Sequence, residues 1–290
     1  MIQRRTFLKR SGLAFAAATL MPTFLFSCEK ERKLGLQLYS LREYIGKDVS
    51  GVIKKVADIG FEEVETYGYS PEGKFWGLEV REFKNILTNN GLSTPSGHYG
   101  ADPYLSETGT DEDLKYILDV ANELDQKYVV IPHISEPLRT SVEDYKRITE
   151  KLNKAGEMCR NAGLKLGYHN HAFEFDDYNG QNGLEIFLEN TDKNLVDFEL
   201  DIYWVVRAGV DPVSLFEKYP GRFPLWHVKD MSKTDPALNT EIGSGSIDYK
   251  QIFEKSEKSG VEHYIVEQEN FEMDPYQSLA QSFNHIHKNL

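Results

Sequence analysis

Gly167-Tyr168-His169-Asn170-His171-Ala172-Phe173-Glu174 sets two imidazoles two residues apart, with a carboxylate three residues further on. On a strand, alternation puts His169 and His171 on one face and Asn170 on the other. Such a pair can ligate a metal or move a proton, or it can simply hydrogen-bond within a polar core. Further ionisable groups follow at regular distances: Asp201-Ile202-Tyr203-Trp204, His227-Val228-Lys229-Asp230 and Glu267-Gln268-Glu269. His169, Asp201, His227 and Glu267 together offer two imidazoles and two carboxylates. A set without thiolate suits a divalent ion, and the imidazoles favour Mn²⁺, Co²⁺ or Zn²⁺ over the oxygen-seeking Mg²⁺. Read singly, Asp201 could also be a helix cap, and His227 a core histidine bonded to a carbonyl.

These residues require elements that bring distant segments to one place. β-like runs are expected at Leu34–Leu38, Glu63–Tyr67, Ser93–His98, Tyr128–His133, Leu164–His171, Val196–Ile202, Pro224–Lys229 and Tyr264–Glu267. Helical stretches alternate with them at Val49–Ile59, Val80–Asn89, Asp111–Leu124, Val142–Asn161, Leu184–Glu189, Pro212–Tyr219, Tyr249–Ser256 and Pro275–His287. Ser141 and Asp248 sit where helix caps belong, and Gly60, Gly91, Gly163 and Gly260 mark helix ends. Eight strand–helix units predict an α/β fold, a (β/α)8 TIM barrel. The rival, an open doubly wound sheet, favours a glycine-rich phosphate loop after its first strand. Leu38-Tyr39-Ser40-Leu41-Arg42 is no such loop.

Barrel chemistry gathers where strands end. Those ends carry Glu65, His98, His133, His169, His171, Glu174, Asp201, His227, Lys229 and Glu267, with Tyr39 and Trp204 beside them as aromatic surfaces for a substrate. Five of the eight histidines fall there; His263, His285 and His287 are expected at the surface or near the C-terminus.

The formal net charge is −13, and the first 27 residues are basic without an acidic side chain, so the body is more acidic than the whole. An acidic body repels phosphate backbones, which argues against a nucleic-acid partner. Residues 1–32 are expected to be an address and linker, and 33–290 a single catalytic domain. Arg4-Arg5-Thr6-Phe7-Leu8-Lys9 resembles a twin-arginine export signal, and Leu25-Phe26-Ser27-Cys28 a bacterial lipobox. The expectation is an exported, periplasmic protein, membrane-anchored only if Cys28 is lipidated. Cys159 would then be the single remaining cysteine.

From Leu34 to Leu290 the chain resembles the sugar phosphate isomerase/epimerase family of xylose isomerase-like barrels. Gly167-Tyr168-His169-Asn170-His171 is similar to that family's strand-five Leu-Glu-Asn-His, and Asp201-Ile202-Tyr203-Trp204 to its Asp-x-x-His. His227-Val228-Lys229-Asp230 is similar to its His-x-Lys-Asp, and Gly243-Ser244-Gly245-Ser246-Ile247-Asp248 to its Gly-x-Gly-x-Ile-Asp loop. The resemblance implies a divalent metal at His169, Asp201, His227 and Glu267, chelating a sugar carbonyl and its neighbouring hydroxyl. It implies proton removal through an enediolate, with Glu267 as first candidate base and Glu174, His171 or Lys229 as second proton-transfer group. His98, His133, Trp204, Tyr39 and Glu65 are the expected substrate contacts. Two departures stand out: His169 replaces a glutamate that also moves a proton, and Trp204 replaces a histidine needed by multi-zinc endonucleases.

The leading expectation is a metal-dependent isomerase or epimerase of a free sugar or keto-sugar. A lyase or dehydratase–hydratase acting on a keto-sugar or glycoside shares the enolate step. A non-catalytic, lipid-anchored carbohydrate-binding protein is the alternative of another class.

Overall fold

The computed structural model describes residues 33–69, 74–178 and 180–290. The export signal and the lipidated Cys28 expected within residues 1–32 lie outside these. Eight parallel strands, β1 (Leu34–Gln37), β2 (Glu63–Thr66), β3 (Ser93–His98), β4 (Tyr128–Ile131), β5 (Lys165–His169), β6 (Val196–Asp201), β7 (Leu225–Val228) and β8 (His263–Val266), close into a barrel. Each pairs with its sequence neighbours, and β1 pairs with β8 to complete the ring. The expected (β/α)8 architecture is therefore what forms: six strands are shorter than expected by one to three residues, Ser93–His98 is as expected, and the last strand starts and ends one residue earlier.

Principal helices at Val49–Ile59, Val80–Asn89, Glu112–Glu123, Val142–Asn161, Gly183–Asn190, Pro212–Lys218, Tyr249–Glu254 and Pro275–Asn289 wrap the barrel. Ser141 Oγ accepts the Asp144 N–H and Asp248 accepts that of Gln251, as helix caps do. Gly60, Gly91, Gly163 and Gly260 all have positive φ, so each helix turns back to its strand through a conformation that costs glycine little. Two hairpins of two-residue strands, Lys74–Phe75 with Leu78–Glu79 and Asp230–Met231 with Asn239–Thr240, decorate the strand ends. Runs so short carry no readable alternation.

The barrel interior is layered. Tyr128, Val130, Leu225 and Ile265 form a buried apolar middle. At the N-terminal end His263 Nδ1 lies 2.8 Å from Glu63 Oε2 and Lys165 Nζ 3.1 Å from Asp197 Oδ2. This corrects the surface placement expected for His263: it shares strand parity with Ile265 and Glu267, so it faces inward. At the C-terminal end, the ionisable groups collect.

Candidate functional site

Strand register does the gathering. Asp201 on β6 stands directly opposite His227 on β7, His169 opposite Glu199, and Gln37 opposite Glu65. The lower tier consists of Glu65 and Glu199, both fully buried. Glu199 Oε2 meets His98 Nε2 at 2.7 Å, His169 Nδ1 at 3.0 Å and His227 Nε2 at 3.2 Å. Glu65 Oε2 meets His227 Nε2 at 2.7 Å and His98 Nε2 at 3.0 Å, and accepts the Gln37 amide at 2.7 Å. His98 and His169 hydrogen-bond Glu199, and His227 hydrogen-bonds Glu65, so two carboxylates orient three imidazoles from below.

The upper tier holds the ligand-like atoms. His227 Nδ1 faces Glu267 Oε2 at 3.3 Å, and His169 Nε2 lies 3.9 Å from Asp201 Oδ2. Asp201, His227 and Glu267 present donor atoms all within 4.8 Å of one another. Asp201 divides its carboxylate: Oδ1 caps the following helix by accepting the Trp204 N–H at 3.1 Å, while Oδ2 is buried with no hydrogen-bond partner among the described residues. Both readings of that aspartate thus apply, one to each oxygen. An unpartnered buried oxygen beside two imidazoles and a second carboxylate fits a divalent ion. Each imidazole shows that space one nitrogen and gives the other to a carboxylate, the arrangement that orients metal-bound histidines.

Electrostatics separates the groups. Burial disfavours charge on His98, but the Glu65 and Glu199 carboxylates outweigh it and raise its pKa to about 9. Burial also opposes charge on His227, and Glu199, Glu267 and Glu65 raise it above its usual value. His169 is pushed well down by burial and by the neighbouring imidazoles, and His171 falls to about 3 through burial and His133. Burial lifts Asp201 to about 6 and, helped by Glu65, Glu199 to about 7. Glu267 goes the other way: burial is outweighed by Lys229 and His227, which hold it ionised.

A cavity of about 390 Å³ opens above these groups, and His98, His133, His169, His171, Trp204, Tyr39 and Glu267 all line it. Five expected residues do not: Asp201 and His227, which are fully buried, and Glu65, Glu174 and Lys229. Glu65 is fully buried beneath the histidines, so it orients them instead of meeting a substrate. Glu174 is fully buried too: Oε1 accepts the Tyr168 hydroxyl at 2.6 Å and Oε2 the His171 N–H at 2.8 Å, which fixes the turn after β5. Lys229 is buried over the Tyr203 and Trp204 rings, its ammonium 3.2 Å from Glu267 Oε2 and bonded also to Glu269. Asp230, next in sequence, accepts backbone N–H groups from Gly243, Gly245 and Ile247, so the Gly-Ser-Gly-Ser loop is pinned to the end of β7.

Two residues with evident roles were not among the expected ones. Glu199 shares strand parity with Asp201 two positions on, a signal that would have found it. Glu269 lines the cavity from the loop beyond β8, where no periodicity applies.

Residues 53–288 match the family described as the xylose isomerase-like TIM barrel. An inosose dehydratase of Clostridium perfringens is 28% identical over 246 residues, covering 74% of this chain and 80% of that protein. A sugar phosphate isomerase/epimerase from Parabacteroides distasonis superposes with a TM-score of 0.78 at 29% identity, covering 91% of this chain and 96% of that one. A probable 3-DHS dehydratase from Bacillus anthracis shares the fold, with a TM-score of 0.70 at 14% identity over 89% of this chain and all of that one.

Proposed function

The chain belongs to the xylose isomerase-like TIM-barrel family and is an enzyme of it, and from that premise we propose that it enolises a keto-sugar or keto-cyclitol and eliminates a β-oxygen as water or an alcohol. The supporting observation is the division of labour at one cavity wall. Glu267 is held ionised, and His98 is held protonated up to about 9. Two groups pushed in opposite directions make a base and an acid.

His169, Asp201, His227 and Glu267 would hold a divalent ion, with Mn²⁺, Co²⁺ or Zn²⁺ favoured by the imidazoles. When bound, the ion would polarise the substrate carbonyl and acidify the adjoining C–H. The Glu267 carboxylate takes that proton, and the carbon–hydrogen electrons form the enolate. As the carbonyl re-forms, the bond from the β-carbon to oxygen breaks, and His98, whose Nε2 is held by Glu65 and Glu199, gives its Nδ1 proton to the departing oxygen. Glu65 and Glu199 keep His98 charged for that donation. His171, held neutral by burial, lines the cavity and can hydrogen-bond a substrate hydroxyl without taking its proton. Trp204 and Tyr39 offer flat apolar surfaces to a sugar ring.

An isomerase or epimerase is the second reading, favoured by the 29% identical Parabacteroides structure. The two share proton removal and differ in what leaves. Metal-loaded protein incubated in D₂O with 2-keto-myo-inositol, keto-sugars and keto-glycosides separates them by NMR. Elimination predicts loss of water or an aglycone, and His98→Gln should slow it by about 10²–10⁴. Deuterium entering an otherwise intact sugar would instead establish the second reading. We further propose export and, through Cys28, a lipid anchor.

A further inference from the structure

Glu269 stands two residues beyond Glu267 and lines the same cavity. Its backbone is held on both sides: its N–H donates to Asn239 Oδ1 at 2.7 Å, and its carbonyl accepts the Arg42 guanidinium at 3.0 Å. Asn239 also accepts the Asn270 N–H, so the turn is fixed from the opposite hairpin. The carboxylate meets the buried Lys229 ammonium through Oε1, while Oε2 bonds to no described residue. The side chain keeps 31% exposure, enough for a ligand to reach it.

The charges around it are one-sided. Glu267 and Glu269 are both in the wall, and no lysine or arginine is among the described lining residues. Lys229 is enclosed and matched by those two carboxylates. Arg42 is tied to the carbonyls of Tyr39 and Glu269, and His98 is shared by Glu65 and Glu199. The cation expected at Asp201 and Glu267 would meet carboxylates of its own. Among the described residues, no lysine or arginine lines the cavity to receive a phosphate, although the structural relative is named for sugar phosphates.

Resting on the proposed reading of this cavity as a keto-sugar or cyclitol site, we infer that Glu269 is its specificity determinant, selecting an uncharged polyol and rejecting phosphorylated or acidic sugars. An ionised carboxylate only accepts hydrogen bonds. Hydroxyls can donate to the free oxygen, whereas a phosphate or carboxylate there meets like charge in a partly desolvated wall. Lys229 is the positioning residue, because it holds Oε1 and turns Oε2 outward.

The test is calorimetric titration of the metal-loaded full chain. The uncharged probes are d-fructose and 2-keto-myo-inositol; the anionic ones are d-fructose 6-phosphate and 2-keto-d-gluconate. Wild type is expected to bind its better uncharged probe at least about tenfold tighter than either anion. Glu269→Gln should weaken uncharged binding by roughly five- to tenfold and erase most of that preference, with the melting temperature as the check on folding. Glu269→Asp, which keeps the charge, should weaken polyol binding yet still reject anions. An anionic probe that binds wild type as tightly as the uncharged ones, or a preference unchanged in Glu269→Gln, overturns the inference. Binding preference is read without turnover, so a protein that failed to eliminate could still pass, and one that eliminated could still fail.

Discussion

His227 Nε2 lies 2.7 Å from Glu65 Oε2, and its other nitrogen faces Glu267 Oε2 at 3.3 Å. One imidazole thus joins a buried carboxylate on the barrel axis to a carboxylate in the cavity wall. His169 repeats the pattern, with Glu199 below it and Asp201 above. The lower carboxylates fix which nitrogen each ring presents upward, a function distinct from ligation.

Removal of Asp201 Oδ2 is the direct test of the metal site. Asp201→Ala is expected to lose a stoichiometric divalent ion that wild type retains, measured by elemental analysis of the purified protein, and to lose turnover with it. Its Oδ1 also caps a helix, so Asp201→Asn, which retains a capping oxygen, separates the two effects. Metal content unchanged in both variants would eliminate this location for the ion.

The carboxylates beneath the histidines should matter without touching the ion. Glu199→Gln and Glu65→Gln are each expected to lower metal affinity by about 10–100-fold while leaving the coordination spectrum of bound Co²⁺ nearly unchanged. A new spectrum in either variant would show that the residue is itself a ligand.

Glu174 predicts a pH dependence of stability. Burial raises its carboxyl from 4.5 to about 7 despite the Tyr168 hydroxyl and the His171 N–H. The native state therefore holds a proton through the interval in which the unfolded chain has released it. This group's stabilising contribution is complete below about pH 4.5 and is lost as pH rises through about 7. Urea midpoints should show that decline, and Glu174→Gln should flatten it; equal slopes in the two proteins would refute the assignment. Tyr168→Phe, which removes one of the carboxyl's two partners, should cost about 1–3 kcal/mol.

For the N-terminal segment, incorporation of an alkyne-labelled fatty acid in a bacterial host is expected in wild type and absent in Cys28→Ser. Label retained in that variant would place the modification elsewhere, and none in wild type would remove the anchor.

Much of this was legible in the sequence. The eight strands emerged because short apolar runs alternate with helical stretches, four of which close on glycine, as at Val80–Asn89 and Gly91. Of the expected set His169, Asp201, His227 and Glu267, the last three bring donor atoms within 4.8 Å of one another because strand ends converge in a closed barrel, while His169 groups with His98, Glu199 and His227. Glu199, between Phe198 and Leu200, reads as ordinary alternation; its parity with Asp201 pointed it inward, and the structure shows three histidines around it. Glu174 looked catalytic by proximity, but a tight turn folds its side chain back onto Tyr168 and away from the cavity. Glu269 and Lys229 form a pair across 40 positions that no local pattern encodes.

Asp230 follows Lys229 at the mouth of the barrel, and one carboxylate there grips three amides of the loop before the penultimate helix. A Cβ at Gly245 would stand 2.2 Å from its Oδ1, so this side of the rim admits almost no variation. Descendants of this protein acquiring a new diet would have to reshape another bank, such as that of Tyr67 and Gly68, and leave the clamped bank as their fixed shore.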